Sequence, residues 1–269
     1  MTAAIGFFDG VHRGHRAILE GADVAITFSN HPLTILRPEA SPRLILPLRD
    51  KIEAISKCGV KEVVVLDFTR EMAAMSAHDF VVSYLKEYDS VRCGENWRFG
   101  RGGEGTPEAL SNYGIKASIV PYEEYADCRI SSSAIRKALA EGDLARARGM
   151  LGHDISFSAG IKRGKGVGGT LGYPTVNLDF EGFAPSLANG VYSASLDGAR
   201  GVANFGFAPT MGSDAWKVPV MEINLFEPPS NLPQLVHITL HRYLRPERRF
   251  ESIEDLKHQI ALDRKAAQE

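Results

Sequence analysis

Gly6-Phe7-Phe8-Asp9-Gly10-Val11-His12-Arg13-Gly14-His15 stands between a short apolar run and a helical pattern. It puts a turn, two glycines and two histidines three apart at a strand-to-helix junction. A helix start offers unpaired N–H groups and partial positive charge, which suits phosphate. Gly10 and Gly14 let backbone approach a ligand more closely than a residue with a Cβ allows. With the helix beginning near Val11, His12 and His15 share a face of its first turn. Their imidazoles can donate to oxygens that gain charge in a phosphoryl transition state. A lone HxxH reads more plainly as a turn cap beside a surface histidine; the strand, Asp9 and the glycines favour phosphate.

Outward from this motif, strand and helix patterns alternate to about residue 150. Val24 to Phe28 and Val63 to Leu66 read as strands buried on both faces, with Ser90 to Cys93 and Ala117 to Val120 as weaker strands. Leu48 to Lys57, Ala77 to Tyr88 and Pro107 to Tyr113 read as helices. Alternation of this kind predicts a parallel, doubly wound α/β sheet with ligands at the carboxyl ends of its strands. Ser131 to Lys137 opens another helix with serine as a cap, and Leu144 to Leu151 closes the first domain, residues 1–151.

Residues 152–269 read differently. Val191 to Leu196, Val220 to Phe226 and Leu235 to Leu240 are extended runs separated by turn residues. In the last, Val236, Ile238 and Leu240 alternate with His237 and Thr239, the period of a half-exposed strand. A small antiparallel barrel or sandwich is expected. It ends in a helix from Ser252, where Ser252 and Asp255 have capping-box spacing and Ile253, Leu256 and Ile260 line one face.

Composition narrows the function classes. The 269 residues are 44% hydrophobic and 24% charged, with 31 basic against 33 acidic side chains and a net charge of -2. That balance disfavours non-specific binding to nucleic acid or to an anionic membrane. No run reaches the roughly 20 apolar residues of a membrane span. Cys58, Cys93 and Cys128 form no CxxC pair, so a reducing cytoplasm is expected, with the thiols as buried fillers.

Several segments, in order, resemble one family. The opening stretch is similar to the HxGH signature of class I nucleotidyltransferases, in the FDGxHxGH form of bacterial riboflavin-kinase/FAD-synthetase proteins. Thr27 to Leu33, TFSNHPL, resembles that family's TFxPHP segment; Gly94 to Gly100, GENWRFG, its G-x-[DN]-F-x-F-G; and Ile130 to Arg136, ISSSAIR, its ISSTxIR. Pro174-Thr175-Val176-Asn177 resembles the PTAN motif, Val202 to Thr210 the ANxGxxPT segment, and Tyr243 to Glu247 the LRxE segment.

The resemblance implies two ATP-dependent steps, riboflavin to FMN and FMN to FAD. It implies that His12 and His15 contact ATP phosphates in adenylyl transfer, with Gly6, Phe8, Asp9 and Gly10 of the turn binding nucleotide or flavin. Asn96 would help bind flavin or nucleotide, and Ser132, Ser133 and Arg136 the triphosphate. In the second domain Glu222 would be the base that activates riboflavin's ribityl hydroxyl. Thr175 and Asn177, hard oxygen donors, would hold Mg²⁺, and Arg245 would bind nucleotide or flavin. Gly164, Gly166 and Gly172 lie in a glycine-rich loop that can wrap phosphates, though with Thr170 after Gly169 it is no P-loop.

The departures are specific. The family's loop arginines are replaced by Val167 and Gly169, and Lys162, Arg163 and Lys165 are placed to compensate. Its DLYG segment appears as Ser230 to Gln234, and Asn224 stands where histidine is usual. The chain starts almost at the motif, and His15 to Val24 is short for a full helix and loop. A missing leading segment or a trimmed first helix is therefore expected. The rival readings are a chain that keeps only the adenylyltransferase, with an impaired kinase, and a non-catalytic flavin-binding regulator. The substrates are small molecules, with neither nucleic acid nor membrane as partner; self-association stays open.

Overall fold

The structure, a computed structural model, describes residues 1–162, 173–180, 183–208 and 218–269, without the side chains of residues 207–208 and 218–219. The chain divides into two compact units, residues 1–42 with 48–132, and residues 43–47 with 133–269.

The first unit is the expected parallel α/β sheet. Its strands β1 (Thr2–Ile5), β2 (Val24–Phe28), β3 (Glu62–Leu66), β4 (Ser90–Gly94) and β5 (Lys116–Val120) run in the order β3-β2-β1-β4-β5, all pairs parallel. The strand order reverses between β1 and β4, so the crevice beyond their carboxyl ends is where such a sheet accommodates ligands. Every residue of β2 is buried. β3, expected to be buried on both faces, is instead the edge strand of the sheet, and Val65 on it is 36% exposed.

Helices α1 (Arg13–Leu19), α2 (Pro32–Leu36), α3 (Leu48–Ser56), α4 (Arg70–Ala74) and α5 (Ala77–Tyr84) connect the strands. Helix α5 stops four residues short of the expected Tyr88, because Leu85 and Lys86 both donate their N–H to the Val81 carbonyl and turn the chain toward β4. Pro107–Tyr113 is a 3-10 helix rather than an α-helix. There the Ser111 hydroxyl donates back to the Glu108 carbonyl, and Gly114 caps the segment in the left-handed conformation.

The second unit carries α6 (Ser132–Ala140), all but its first residue, then α7 (Leu144–Leu151) and a closed barrel. The barrel strands are β8 (Ile155–Lys162), β9 (Val176–Asp179), β10 (Gly190–Leu196), β11 (Ala199–Ala208), β12 (Val218–Leu225) and β13 (Leu235–Arg245), ordered β10-β11-β12-β9-β8-β13. A short hairpin in the first unit, β6 (Glu124–Tyr125) with β7 (Cys128–Arg129), lies outside both the parallel sheet and the barrel. Closure leaves the barrel no free edge. Val236, Ile238 and Leu240 are fully buried and alternate with exposed His237 and half-buried Thr239, as the sequence period requires. The C-terminal helix, Ile253–Gln268, has Ser252 as its N-cap, accepting from the Asp255 N–H. Ile253 was expected on its apolar face but is 58% exposed, since it sits in the first turn ahead of the part that packs.

Candidate functional sites

The Gly6–His15 stretch is a tightly wound turn. Phe8, Gly10 and Val11 all have positive φ (55°, 82° and 40°), and the Val11 N–H closes the turn on the Phe8 carbonyl at 3.1 Å. For a β-branched residue this conformation is strained, and Val11 is fully buried, so packing holds it there. Gly6 has to be glycine: a Cβ would lie 2.8 Å from the Phe8 ring. Asp9 is 1% exposed.

His12 is the N-cap of α1 rather than a residue of its first turn, which moves the helix start from the expected Val11 to Arg13. Its Nδ1 accepts the His15 N–H at 3.2 Å, which leaves Nε2 as the ring's own N–H. The two imidazoles stack at 3.5 Å with an 18° interplanar angle, and Phe8 meets His15 edge-on at 5.3 Å. The turn thus delivers both rings as one packed pair.

Two further predicted residues belong to this end of the sheet. Ser132, the first residue of α6, donates its hydroxyl to the Asp9 carbonyl at 3.0 Å and joins the ISSSAIR segment to the turn. Asn96 is exposed just past the end of β4, the strand beside β1, with its Oδ1 3.6 Å from where a Cβ on Gly94 would lie. Ser133 and Arg136 follow on α6 in the second unit, where the Arg136 Nη2 donates to the Ser133 hydroxyl at 3.2 Å.

Sequence reasoning passed over Lys51. It lies on α3, is 2% exposed, and donates its ammonium to the carbonyls of Phe7 (3.1 Å) and Phe28 (2.6 Å). Burial pulls its pKa down to about 8, partly offset by the Asp9 carboxylate. A buried cation at a helix start, facing two strand ends, leaves no periodic trace in a sequence. Of the cysteines, only Cys93 is a fully buried filler; burial pushes its thiol up to about 11, while Cys58 and Cys128 are half-buried.

In the barrel, register brings the predicted kinase residues together. Asn177 on β9 stands opposite Glu222 on β12, Glu222 opposite Asn204 on β11, Asn204 opposite Val191 on β10, and Val191 opposite Arg245 on β13. Directly opposed residues of antiparallel strands project to the same face, so five strands contribute one continuous row. A cavity of about 650 Å³ opens on this row, lined by Glu222, Asn204 and Arg245 from the strands, by Thr175 just before β9, and by Phe250, Leu256 and Ile260. Gly164, Gly166 and Gly172, together with Arg163, Lys165, Val167, Gly169, Pro209 and Thr210, lie outside the described residues.

Two anchors were not foreseen. Arg245, expected as a ligand-binding residue, forms a bidentate pair with Asp263 of the C-terminal helix, Nε–Oδ1 2.9 Å and Nη2–Oδ2 2.7 Å, so its fork faces protein. Asn224 accepts from Arg264 and donates to the Pro174 carbonyl at 2.8 Å, tethering the Thr175 segment to the same helix. The strand sequences hold no signal for contacts made by a helix 18 to 40 residues downstream.

Comparisons with known proteins match the two halves of the chain to two family models. The FAD synthetase family model matches residues 1–134 and the riboflavin kinase model residues 151–269. Proteins described as bifunctional riboflavin kinase/FMN adenylyltransferase are 33% identical in Escherichia coli K12, over 98% of this chain and 91% of that protein, and 31% identical in Bacillus subtilis, over 98% and 90%. A crystal structure of a Streptococcus pneumoniae protein described as a macrolide-efflux protein aligns with TM-score 0.86 at 27% identity, covering 99% of this chain and 93% of that one. Among the described residues no helix is long and apolar enough to cross a membrane. With both halves matched and near full-length alignment to those relatives, the chain belongs to the bifunctional riboflavin kinase/FMN adenylyltransferase family.

Proposed function

We infer that the protein makes FAD in two ATP-dependent steps, phosphorylating riboflavin to FMN and then adenylylating FMN with release of pyrophosphate. The observation that carries this is the coexistence in one chain of the stacked His12–His15 pair at the carboxyl end of β1 and the Asn177–Glu222–Asn204 row, whose Glu222 and Asn204 line the cavity between barrel strands and C-terminal helix. We assign adenylyl transfer to residues 1–151 and kinase chemistry to residues 152–269; α6 and α7 cluster with the barrel, while α6 continues the ISSSAIR segment.

In adenylyl transfer a phosphate oxygen of FMN attacks the α-phosphorus of ATP, and the bond to pyrophosphate breaks. His12 and His15 donate to the oxygens on which charge accumulates. Ser133 and Arg136 hold the triphosphate, the guanidinium by bidentate contact, and Asn96 orients flavin or nucleotide. Ser132 acts through the Asp9 carbonyl to hold the turn. In the kinase step the ribityl hydroxyl attacks the γ-phosphorus, the bond to the β-phosphate oxygen breaks so that ADP leaves, and Glu222 takes the hydroxyl proton. Arg245, locked by Asp263, forms a wall of the cavity and holds the last barrel strand beside it.

Mg²⁺ fits the kinase residues: the Thr175 hydroxyl lines the cavity, and Asn177 offers a second hard oxygen in the row of Glu222. Bound there, the ion would neutralise phosphate charge as the γ-group transfers. A cytoplasmic setting accords with three free cysteines.

Incubation with riboflavin and MgATP, followed by product analysis, tests the reading. FMN and FAD together are expected, with pyrophosphate equal to FAD. FAD from supplied FMN with no FMN from riboflavin would leave adenylyl transfer alone; flavin binding without any product would leave a non-catalytic binder.

A further inference from the structure

We propose that Lys51 is a positioning residue for adenylyl transfer, its buried ammonium clamping the backbone at the ends of β1 and β2 and so holding the turn that presents Asp9 and His12. The proposal rests on the adenylyltransferase reading of that turn. The Phe7 carbonyl receives two donors, the Lys51 ammonium at 3.1 Å and the Thr27 hydroxyl at 3.0 Å, and Thr27 is fully buried. Lys51 also donates to the carbonyl of Phe28, the last residue of β2, at 2.6 Å and stands 3.9 Å over the Phe7 ring. These contacts fix the residue immediately before Phe8, where the left-handed path begins.

A backbone wound through positive φ at Phe8 and Val11 persists only when its surroundings over-determine it. Two donors on one carbonyl do so from outside the turn. The ammonium also places positive charge beside the Asp9 carboxylate, and that attraction partly offsets the burial that would otherwise discharge it. Among the described residues Asp9 in the turn is the charged group that acts on Lys51; Asp50 is its neighbour in sequence on α3, and His31 meets Phe7 edge-on at 4.8 Å. Neutralising Lys51 removes the cation–carbonyl clamp while leaving His12 and His15 in the chain. Rate of the chemical step, rather than substrate binding, is then the quantity that falls.

The test uses the full chain, with FMN formation from riboflavin as an internal control in each preparation. Lys51→Met is expected to lower kcat for FAD formation from FMN on the order of tenfold to a hundredfold. The KM for ATP should stay within about threefold, and FMN formation should be unchanged. In the unmodified protein, kcat for FAD formation should decline as pH rises through about 8, where Lys51 discharges. Lys51→Met should lack that limb, and Lys51→Arg, charged throughout, should retain its own kcat above pH 8. Lys51→Met with kcat within about twofold of the parent, or with the same alkaline limb, overturns the proposal. Should Lys51→Met fail to fold, a kcat of the parent protein that is flat from pH 7 to 9.5 overturns it alone. A parent protein that makes no FAD from FMN at any pH instead sinks the reading of the site itself.

Discussion

Arg245 and Asp263 form a two-pronged ion pair that ties the last barrel strand to the C-terminal helix. Asp263 is almost fully buried and also accepts from Gln259 at 2.7 Å, so the pair sits inside a satisfied network. Removing one partner of a buried pair strands the other and costs about 3–5 kcal/mol. Asp263→Ala should therefore lower the urea unfolding free energy of the barrel by about that amount and reduce FMN formation. FAD formation from supplied FMN should survive.

The stacked imidazoles make a second prediction. His15→Ala removes one ring of the pair and the edge contact to Phe8, but leaves its backbone N–H to cap on His12. FAD formation should fall by roughly 10²–10³ in kcat, with FMN formation intact. Loss of both activities in a folded protein would refute the assignment of the two steps to separate sites.

Glu222→Gln is the reciprocal change. It is nearly isosteric and preserves the register with Asn177 and Asn204, so the barrel should unfold at the same urea concentration. On the proposed role of Glu222 as base, FMN formation should drop by about 10²–10⁴, whereas FAD formation from FMN continues. Thr175→Ala in the same cavity should raise the Mg²⁺ concentration that half-saturates FMN formation.

Lys51 also predicts how stability depends on pH. Its folded-state pKa is about 8 against an ordinary 10.5, so between those values the unfolded chain binds the extra proton. Stability contributed by this group therefore rises with pH from about 8 to 10.5, on the order of 3 kcal/mol in all. Below pH 8 both states are protonated and the slope vanishes. Urea midpoints across this range should show a steeper rise for the parent protein than for Lys51→Met.

The cysteines give a chemical check on burial. Cys93 is completely buried, with its thiol pushed up to about 11, while Cys58 and Cys128 are half-buried. At pH 8 a thiol-specific chromogenic disulfide should modify Cys128 and Cys58, leaving Cys93 until the protein is unfolded in urea. Rapid reaction of three thiols in the folded protein would contradict the packing around β4.

The sequence alone determined the fold class and displayed the motifs to which chemistry is assigned above, because both are local. Apolar runs such as Val24–Phe28 declare a buried strand, the period of Val236 to Leu240 declares a half-exposed one, and the glycines and histidines of Gly6–His15 announce a turn at a helix start. Resemblance then supplied the two-step reading. Tertiary structure decided what depends on distant partners: that β3 is an edge, that Ile155–Lys162 and Ala199–Ala208 are strands of a closed barrel, and that His12 caps α1 rather than sitting inside it. It also decided that Lys51 is buried against strand ends 23 and 44 residues away, and that Arg245 is spent on Asp263. Those outcomes follow from desolvation and from pairing across the fold, and neither leaves a period or a motif in the chain that folds.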